Sequence, residues 1–315
     1  DRPRFAYRGT MLDTARHFYP LTALKMHIDA MAYAKMNVLH WHIVDGIAFP
    51  YQSAVFPQMS KDGAYSSRHV YSIADIHELV AYAMSRGVRV IPEFDMPGHV
   101  SRGWQSLGVL TQCYDTTTGA KTNLGALNPT INATYDVLGR LMAEVRGSFA
   151  PEQYVHVGGD EVPKECWQSN PEITAWLKAH PDVAGFAGLE TYFEQRLLSI
   201  LQAQNSSYMA WQELFDNGAK LHPDTVIEVW KGNGPAALWR FELERVIKAG
   251  FRSVLSAPFY LNYISYGADW PKYYSVDPAN FTGGAEAESK GLVHGIEACF
   301  WSGKTSTPCP LPRPL

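Results

Sequence analysis

Eight short runs of strand character recur along the 315 residues, at 5–12, 38–42, 88–94, 154–157, 208–211, 226–230, 253–256 and 295–301. Helical spacing fills most of the gaps. Behind Pro20, the residues Leu24, Ile28, Met31 and Met36 share one helical face. Ser72 and Asp75 form a capping box ahead of Ile76, Leu79, Val80 and Ala83, and Gly87 ends that pattern. Asn128-Pro129 opens another, with Ile131, Tyr135, Leu138, Met142 and Val145 on one face, and 189–203 and 235–249 read alike. Parallel strands need crossovers, which helices provide, so this alternation predicts an α/β fold with a parallel sheet. Eight units in this length fit a (β/α)8 TIM barrel better than a doubly wound open sheet. Pro308, Pro310, Pro312 and Pro314 forbid a helix near the end, so the last barrel helix is expected to be missing. The expected organisation is a barrel over 1–301 and an atypical Pro-rich tail over 302–315. The start at Asp1, without a leader, reads as a piece of a longer protein whose N-terminal domain is absent.

The net charge of −4 is spread without a basic stripe, which argues against nucleic acid. No apolar run reaches the roughly 20 residues that span a bilayer. Cys113 and Cys166 both lie in polar, loop-like sequence and could meet as a disulfide, whereas Cys299 sits in an apolar run as a buried thiol. Asn132, Asn205 and Asn280 each head an N-glycosylation triplet. With the disulfide, these triplets point to an oxidising, secretory route.

The chemistry concentrates at strand ends. His156-Val157-Gly158-Gly159-Asp160-Glu161 places two adjacent carboxylates after a strand and a flexible turn, an arrangement suited to acid–base work on a neutral, oxygen-rich substrate. Alone, it reads equally as a solvated acidic pair. Arg8, Asp13, His40-Trp41-His42, Asp45, the run from Glu93 to His99, Trp211-Gln212-Glu213, Trp230, Tyr260-Leu261-Asn262 and Trp301 recur at the other strand ends. In a barrel of this kind that is where reactions occur. His40-x-His42, with His99 and Asp45, also admits a second reading as a zinc site.

The segments from Arg8 to His17, His40 to Asp45, Glu93 to His99, His156 to Glu161 and Trp211 to Glu213 resemble the β-N-acetylhexosaminidases of glycoside hydrolase family 20. The run from Ser256 to Leu261 and that from Ile264 to Trp270 resemble the animal lysosomal type. The resemblance covers Arg4 to Trp301. It implies hydrolysis of terminal N-acetylglucosamine or N-acetylgalactosamine with the substrate's own 2-acetamido group as nucleophile, an exception to the two-carboxylate scheme. Glu161 would be general acid and then base, and Asp160 would orient the acetamido group. His99 would contact Glu161, with Asp45 behind it. Arg8 would bind sugar hydroxyls, Trp211, Trp230 and Trp301 would wall the acetamido pocket, and Tyr260 would donate to its oxygen. Trp41, Asp95 and Glu213 would be structural or supporting.

The resemblance implies no cofactor and no metal. It implies a glycan, glycolipid or chitin-oligomer substrate, a homodimer, and a lysosomal or secreted location. Two departures stand out. Asn262 replaces a common Asp, and Ser302-Gly303 follows Trp301 where the family usually has Gly-Glu, an acid that binds sugar hydroxyls. The tail therefore reads as a truncated, alternatively spliced or frame-shifted end. A catalytically impaired sugar-binding relic is the alternative to an active enzyme.

Overall fold

The computed structural model describes residues 2–232, 237–263 and 265–304. Ten strands are present: β1 (Tyr7–Asp13), β2 (Val38–His42), β3 (Arg89–Glu93), β4 (Leu110–Tyr114), β5 (Lys121–Leu127), β6 (Tyr154–His156), β7 (Ser207–Trp211), β8 (Val226–Val229), β9 (Arg252–Leu255) and β10 (Val293–Phe300). Eight of them close a parallel barrel in the order β1-β10-β9-β8-β7-β6-β3-β2. Each of the eight expected runs supplies one barrel strand. The closing seam joins β1 to β10 in register from Tyr7 opposite Gly295 to Leu12 opposite Phe300.

The remaining pair, β4 and β5, is an antiparallel hairpin outside the barrel between β3 and β6. It falls outside the strand–helix alternation of the sequence. The disulfide Cys113–Cys166 ties β4 of this hairpin to the helix Glu165–Ser169. Among the described residues Cys299 is the free, buried cysteine.

Helices form where apolar spacing and end signals agree. Leu21–Tyr33 buries Leu24, Ile28 and Met31 against the barrel. It stops before Met36, because Lys35 takes a left-handed φ of 59°. The helix Ile73–Met84 carries the expected capping box, with Ser72 Oγ accepting from Asp75 N at 3.1 Å and Asp75 Oδ2 accepting from Ser72 N at 2.8 Å. Asn132–Ser148 begins after Ile131, three residues past the expected Pro129, and buries Tyr135, Leu138, Met142 and Val145. The 189–203 pattern lies within Gly185–Ala203, and the 235–249 pattern narrows to Trp239–Lys248.

Helical cover is uneven around the barrel. Between β7 and β8 the only helix among the described residues is the four-residue turn Glu213–Asp216. After β10 they hold one 3-10 turn, Ser302–Lys304, in place of an eighth helix. The Pro-rich stretch 305–315 lies outside the described residues.

The barrel interior is layered. Tyr7, Val38, Ile91, Met209, Val226 and Val254 pack near the strand starts. Above them lies a polar layer in which His40, Glu93, His156, Glu228 and Glu297 are all fully buried. Met11, Trp211, Tyr260 and Cys299 form the next layer, with Trp230 and Trp301 against it at the mouth.

Candidate active site

The two carboxylates follow β6 through Gly158 and Gly159, whose φ angles of 68° and 97° belong to the left-handed region that favours glycine. Gly158 also packs against Asp95, leaving no room for a Cβ. Asp95 Oδ1 accepts from Gly159 N at 2.8 Å, which pins the turn to the end of β3. Asp160 is thereby buried, whereas the Glu161 side chain is 62% exposed. His99 and Glu161 both have φ of 49°. A non-glycine residue in that region costs about 1–2 kcal/mol, and such strain concentrates where side chains must be aimed.

His99 joins the acids. Its Nε2 lies 3.5 Å from Asp160 Oδ2 and 3.6 Å from Glu161 Oε2, while its Nδ1 lies 3.4 Å from Asp45 Oδ2. Asp45 Oδ2 also meets Arg16 Nη2 at 2.7 Å and His42 Nε2 at 3.0 Å. Burial opposes a charge on His99, yet the carboxylates of Asp95, Asp160 and Asp45 push it up to about 12. Burial likewise opposes charge on Asp160, but the His99 hydrogen bond and charge hold it below the usual carboxylate range. Asp95 goes the other way, pushed well up by burial and by the charge of Asp160. The two acids of this close pair therefore differ in proton affinity, Asp95 holding its proton more tightly than Asp160.

These groups open into a cavity of about 460 Å³ lined by Arg16, His99, Asp160, Glu161, Trp230, Tyr260, Asn262 and Trp301, with Ile47, Tyr263 and Gly303 at its edges. Trp211 lies beneath, fully buried, its ring 6.0 Å from that of Trp301. Trp230 Nε1 donates to Glu213 Oε2 at 2.9 Å, so Glu213 holds a wall of the cavity from behind. Tyr260 is placed by Leu261 N donating to Cys299 O at 2.8 Å, and its ring stacks on Tyr263 at 5.4 Å. The turn after Trp301 is tied down as well, by Ser302 N donating to Asp13 Oδ2 at 3.2 Å.

Arg8 does not reach this cavity. As the second residue of β1 it sits toward the strand start, where Nε donates to Lys35 O and Nη1 to Phe5 O, both at 2.7 Å. The guanidinium in the cavity is that of Arg16, a residue outside the expected site set. Asp13 positions it, Oδ1 accepting from Arg16 N at 3.0 Å and Oδ2 from Nη1 at 3.1 Å. Arg16 lies beyond the C-terminal end of β1 and Arg8 before its middle, and that register was the available signal.

The four residues of the second, zinc-site reading do not converge as a quartet. His42 turns to Asp45 and Glu93, while His40 Nδ1 meets Glu297 Oε1 at 2.7 Å. Among the described residues, potential metal-ligand groups of three (His40, Glu93 and His156; His40, Glu228 and Glu297; Asp95, His99 and Asp160) never contain both His40 and His42. The sequon residues Asn132, Asn205 and Asn280 are all exposed. No helix among the described residues is long and apolar enough to cross a membrane.

A closed parallel barrel with an adjacent acid pair, a histidine and a tryptophan-lined cavity at its C-terminal mouth defines a glycosidase-type catalytic domain. The match to the catalytic domain of glycosyl hydrolase family 20 runs over residues 5–310, and the chain belongs to that family. It is 47% identical over 302 residues to the β-hexosaminidase subunit beta of Felis catus, covering 96% of this chain and 55% of the relative. It is 46% identical over 303 residues to the subunit alpha of Bos taurus, covering 96% of this chain and 56% of the relative. The chain thus spans about half the length of these curated relatives. Among solved structures, a chitobiase of Flavobacterium johnsoniae superposes with a TM-score of 0.80 at 31% identity, covering 96% of this chain and 45% of that one. The exo-β-N-acetylglucosaminidase of Vibrio harveyi in complex with N-acetylglucosamine superposes with a TM-score of 0.81 at 27% identity, covering 98% and 52%.

Proposed function

We propose that this chain is the catalytic barrel of an exo-acting β-N-acetylhexosaminidase that works by substrate-assisted retaining hydrolysis. The observation that carries the reading is the unequal environment of two adjacent acids, Asp160 buried and ionised against His99, Glu161 exposed in the cavity. Asp160 accepts the acetamido N–H and turns its carbonyl oxygen toward the anomeric carbon. Glu161 protonates the leaving oxygen as that bond breaks, and the oxazolinium ring closes. Glu161 then removes a proton from the water that reopens the ring, and the sugar leaves with retained configuration. Trp211, Trp230 and Trp301 enclose the acetamido methyl, and Tyr260 donates to its oxygen. Arg16 takes the hydroxyl-binding role expected of Arg8, and Asn262 adds an amide at the same rim.

Glycans, glycolipids or chitin oligomers fit such an exo site. The lysosomal or secreted location rests on the resemblance to the animal lysosomal type, the sequons and the disulfide, and the homodimer on the resemblance alone. Gly303 lines the cavity where the family usually has an acid after Trp301, and this favours one second reading, a domain that binds the sugar without turning it over.

Hydrolysis of 4-nitrophenyl β-N-acetylglucosaminide by the purified chain, beside Glu161→Gln, tests the proposal. Turnover that Glu161→Gln lowers by about 10²–10⁴-fold supports it. Saturable binding of N-acetylglucosamine without turnover would establish the second reading instead.

A further inference from the structure

One fully buried carboxylate at the end of β3, Glu93, contacts residues that lead to both sides of the cavity. Glu93 Oε2 lies 2.6 Å from His42 Nδ1 and 3.0 Å from His40 Nε2. Its Oε1 accepts from Trp211 Nε1 at 2.9 Å and lies 3.4 Å from His156 Nδ1. Its contacts thus come from β2, β6 and β7. Through His42 it reaches Asp45, and through Asp45 it reaches His99 and the two acids. Through Trp211 it reaches Trp301, whose ring also meets His42 edge-on at 4.8 Å.

We infer that Glu93 is a positioning residue that locks the acid–base arm, from His42 to Glu161, and the tryptophan wall into one register, so that proton donor and acetamido pocket stay aligned. The inference rests on the function proposed above. A buried carboxylate persists as an anion only when partners surround it. Burial opposes charge on Glu93, but the charges of His42 and His40 hold it well below the usual range. Burial also opposes charge on His42, and Glu93 with Asp45 pushes it up to about 10. The ionised Glu93 and protonated His42 thus fix each other, and His42 keeps Nε2–H directed at Asp45. Facing the same layer are Glu297, Glu228 and Tyr7, with Tyr7 donating its hydroxyl proton to Glu297. Asp13 and Arg16 complete the charged surroundings of the arm on the β1 side.

The test compares Glu93→Gln, His42→Gln and Trp211→Phe on two aryl β-N-acetylglucosaminides, a 4-nitrophenyl and a 4-methoxyphenyl. The poorer leaving group depends more on proton donation. Glu93→Gln is expected to lose about 10-fold in kcat on the nitrophenyl and about 100-fold on the methoxyphenyl substrate, with KM changed less than about threefold. His42→Gln should show the same dependence on leaving group, and Trp211→Phe a loss equal on both substrates. A thermal melt accompanies each variant.

A folded Glu93→Gln with wild-type rates, or with equal losses on both substrates, overturns the inference while leaving the proposed function standing. Should Glu93→Gln not fold, the other two variants decide, and equal losses in His42→Gln overturn it. A wild-type chain that hydrolyses neither substrate overturns the proposed function, and this inference with it.

Discussion

Arg16 stands over the indole of Trp301, its Cζ 4.9 Å from the ring centroid, while its guanidinium grips Asp45 and Asp13. A planar, fixed fork does both at once, and an ammonium cannot. Arg16→Lys keeps the charge and loses the geometry. Its kcat/KM on the nitrophenyl substrate is expected to fall about 100-fold, near 2.7 kcal/mol, mainly through KM. Steady-state kinetics check this, and an unchanged KM would sink the assignment of Arg16 to the sugar.

The turn before the acid pair should tolerate almost nothing. In Gly158→Ala the new methyl meets Asp95 and must also adopt a positive φ. We expect about 1–3 kcal/mol of destabilisation and at least a roughly 100-fold loss of kcat. Chemical denaturation beside kinetics measures the two effects separately. Gly87, with φ of 70° and open space around it, is the control, expected to cost stability alone.

Removing the covalent tie between hairpin and helix should loosen the segment just past Glu161. The bridge closes a sequence separation of 53 residues. Chain entropy puts the stabilisation at about 4 kcal/mol, and measured bridges often give about 2–4. The double variant Cys113→Ser, Cys166→Ser is expected to unfold at correspondingly lower denaturant concentration. Equal midpoints for variant and parent would contradict the prediction.

A pH effect is expected from the helix Gly185–Ala203. Burial pushes Glu194 up to about 8, although Asn217 Nδ2 donates to it at 3.0 Å. Because the folded value exceeds the unfolded one of 4.5, the proton stabilises the fold fully below about pH 4.5, and this is lost as pH rises through about 8. Glu194→Gln removes that dependence. Between pH 5 and pH 8 the parent should therefore lose about 2–4 kcal/mol relative to Glu194→Gln. Urea midpoints for both proteins across that range decide the matter, and parallel curves would refute it.

The barrel was legible because its strands are short apolar runs bounded by helical patterns, a local signal. Asp160 and Glu161 were legible because they are adjacent in sequence. The hairpin of β4 and β5 was not, since it stands outside the alternation and its outer strand begins with the polar residues Lys121, Thr122 and Asn123. Arg8 was taken for the sugar-binding arginine on the resemblance alone, when position relative to the strand end was the better guide and points to Arg16. The contacts of Glu93 with Trp211 and of His40 with Glu297 span 118 and 257 residues, and no local pattern encodes pairs so distant. His40-x-His42 looked like a metal pair because imidazoles two apart share a face of a strand, and the buried carboxylates opposite them are visible only in three dimensions.

The seam between β1 and β10 carries a cost in time. Tyr7 finds its partner only when Gly295 has been made. At about 5–20 residues per second, one edge of the first strand waits roughly 15–60 s on the ribosome without its neighbour. An unpaired edge is a template for wrong partners. Over that interval the nascent chain carries an open edge that the finished barrel never shows, so its exposure to mispairing is set by the order of synthesis rather than by the stability of the closed fold.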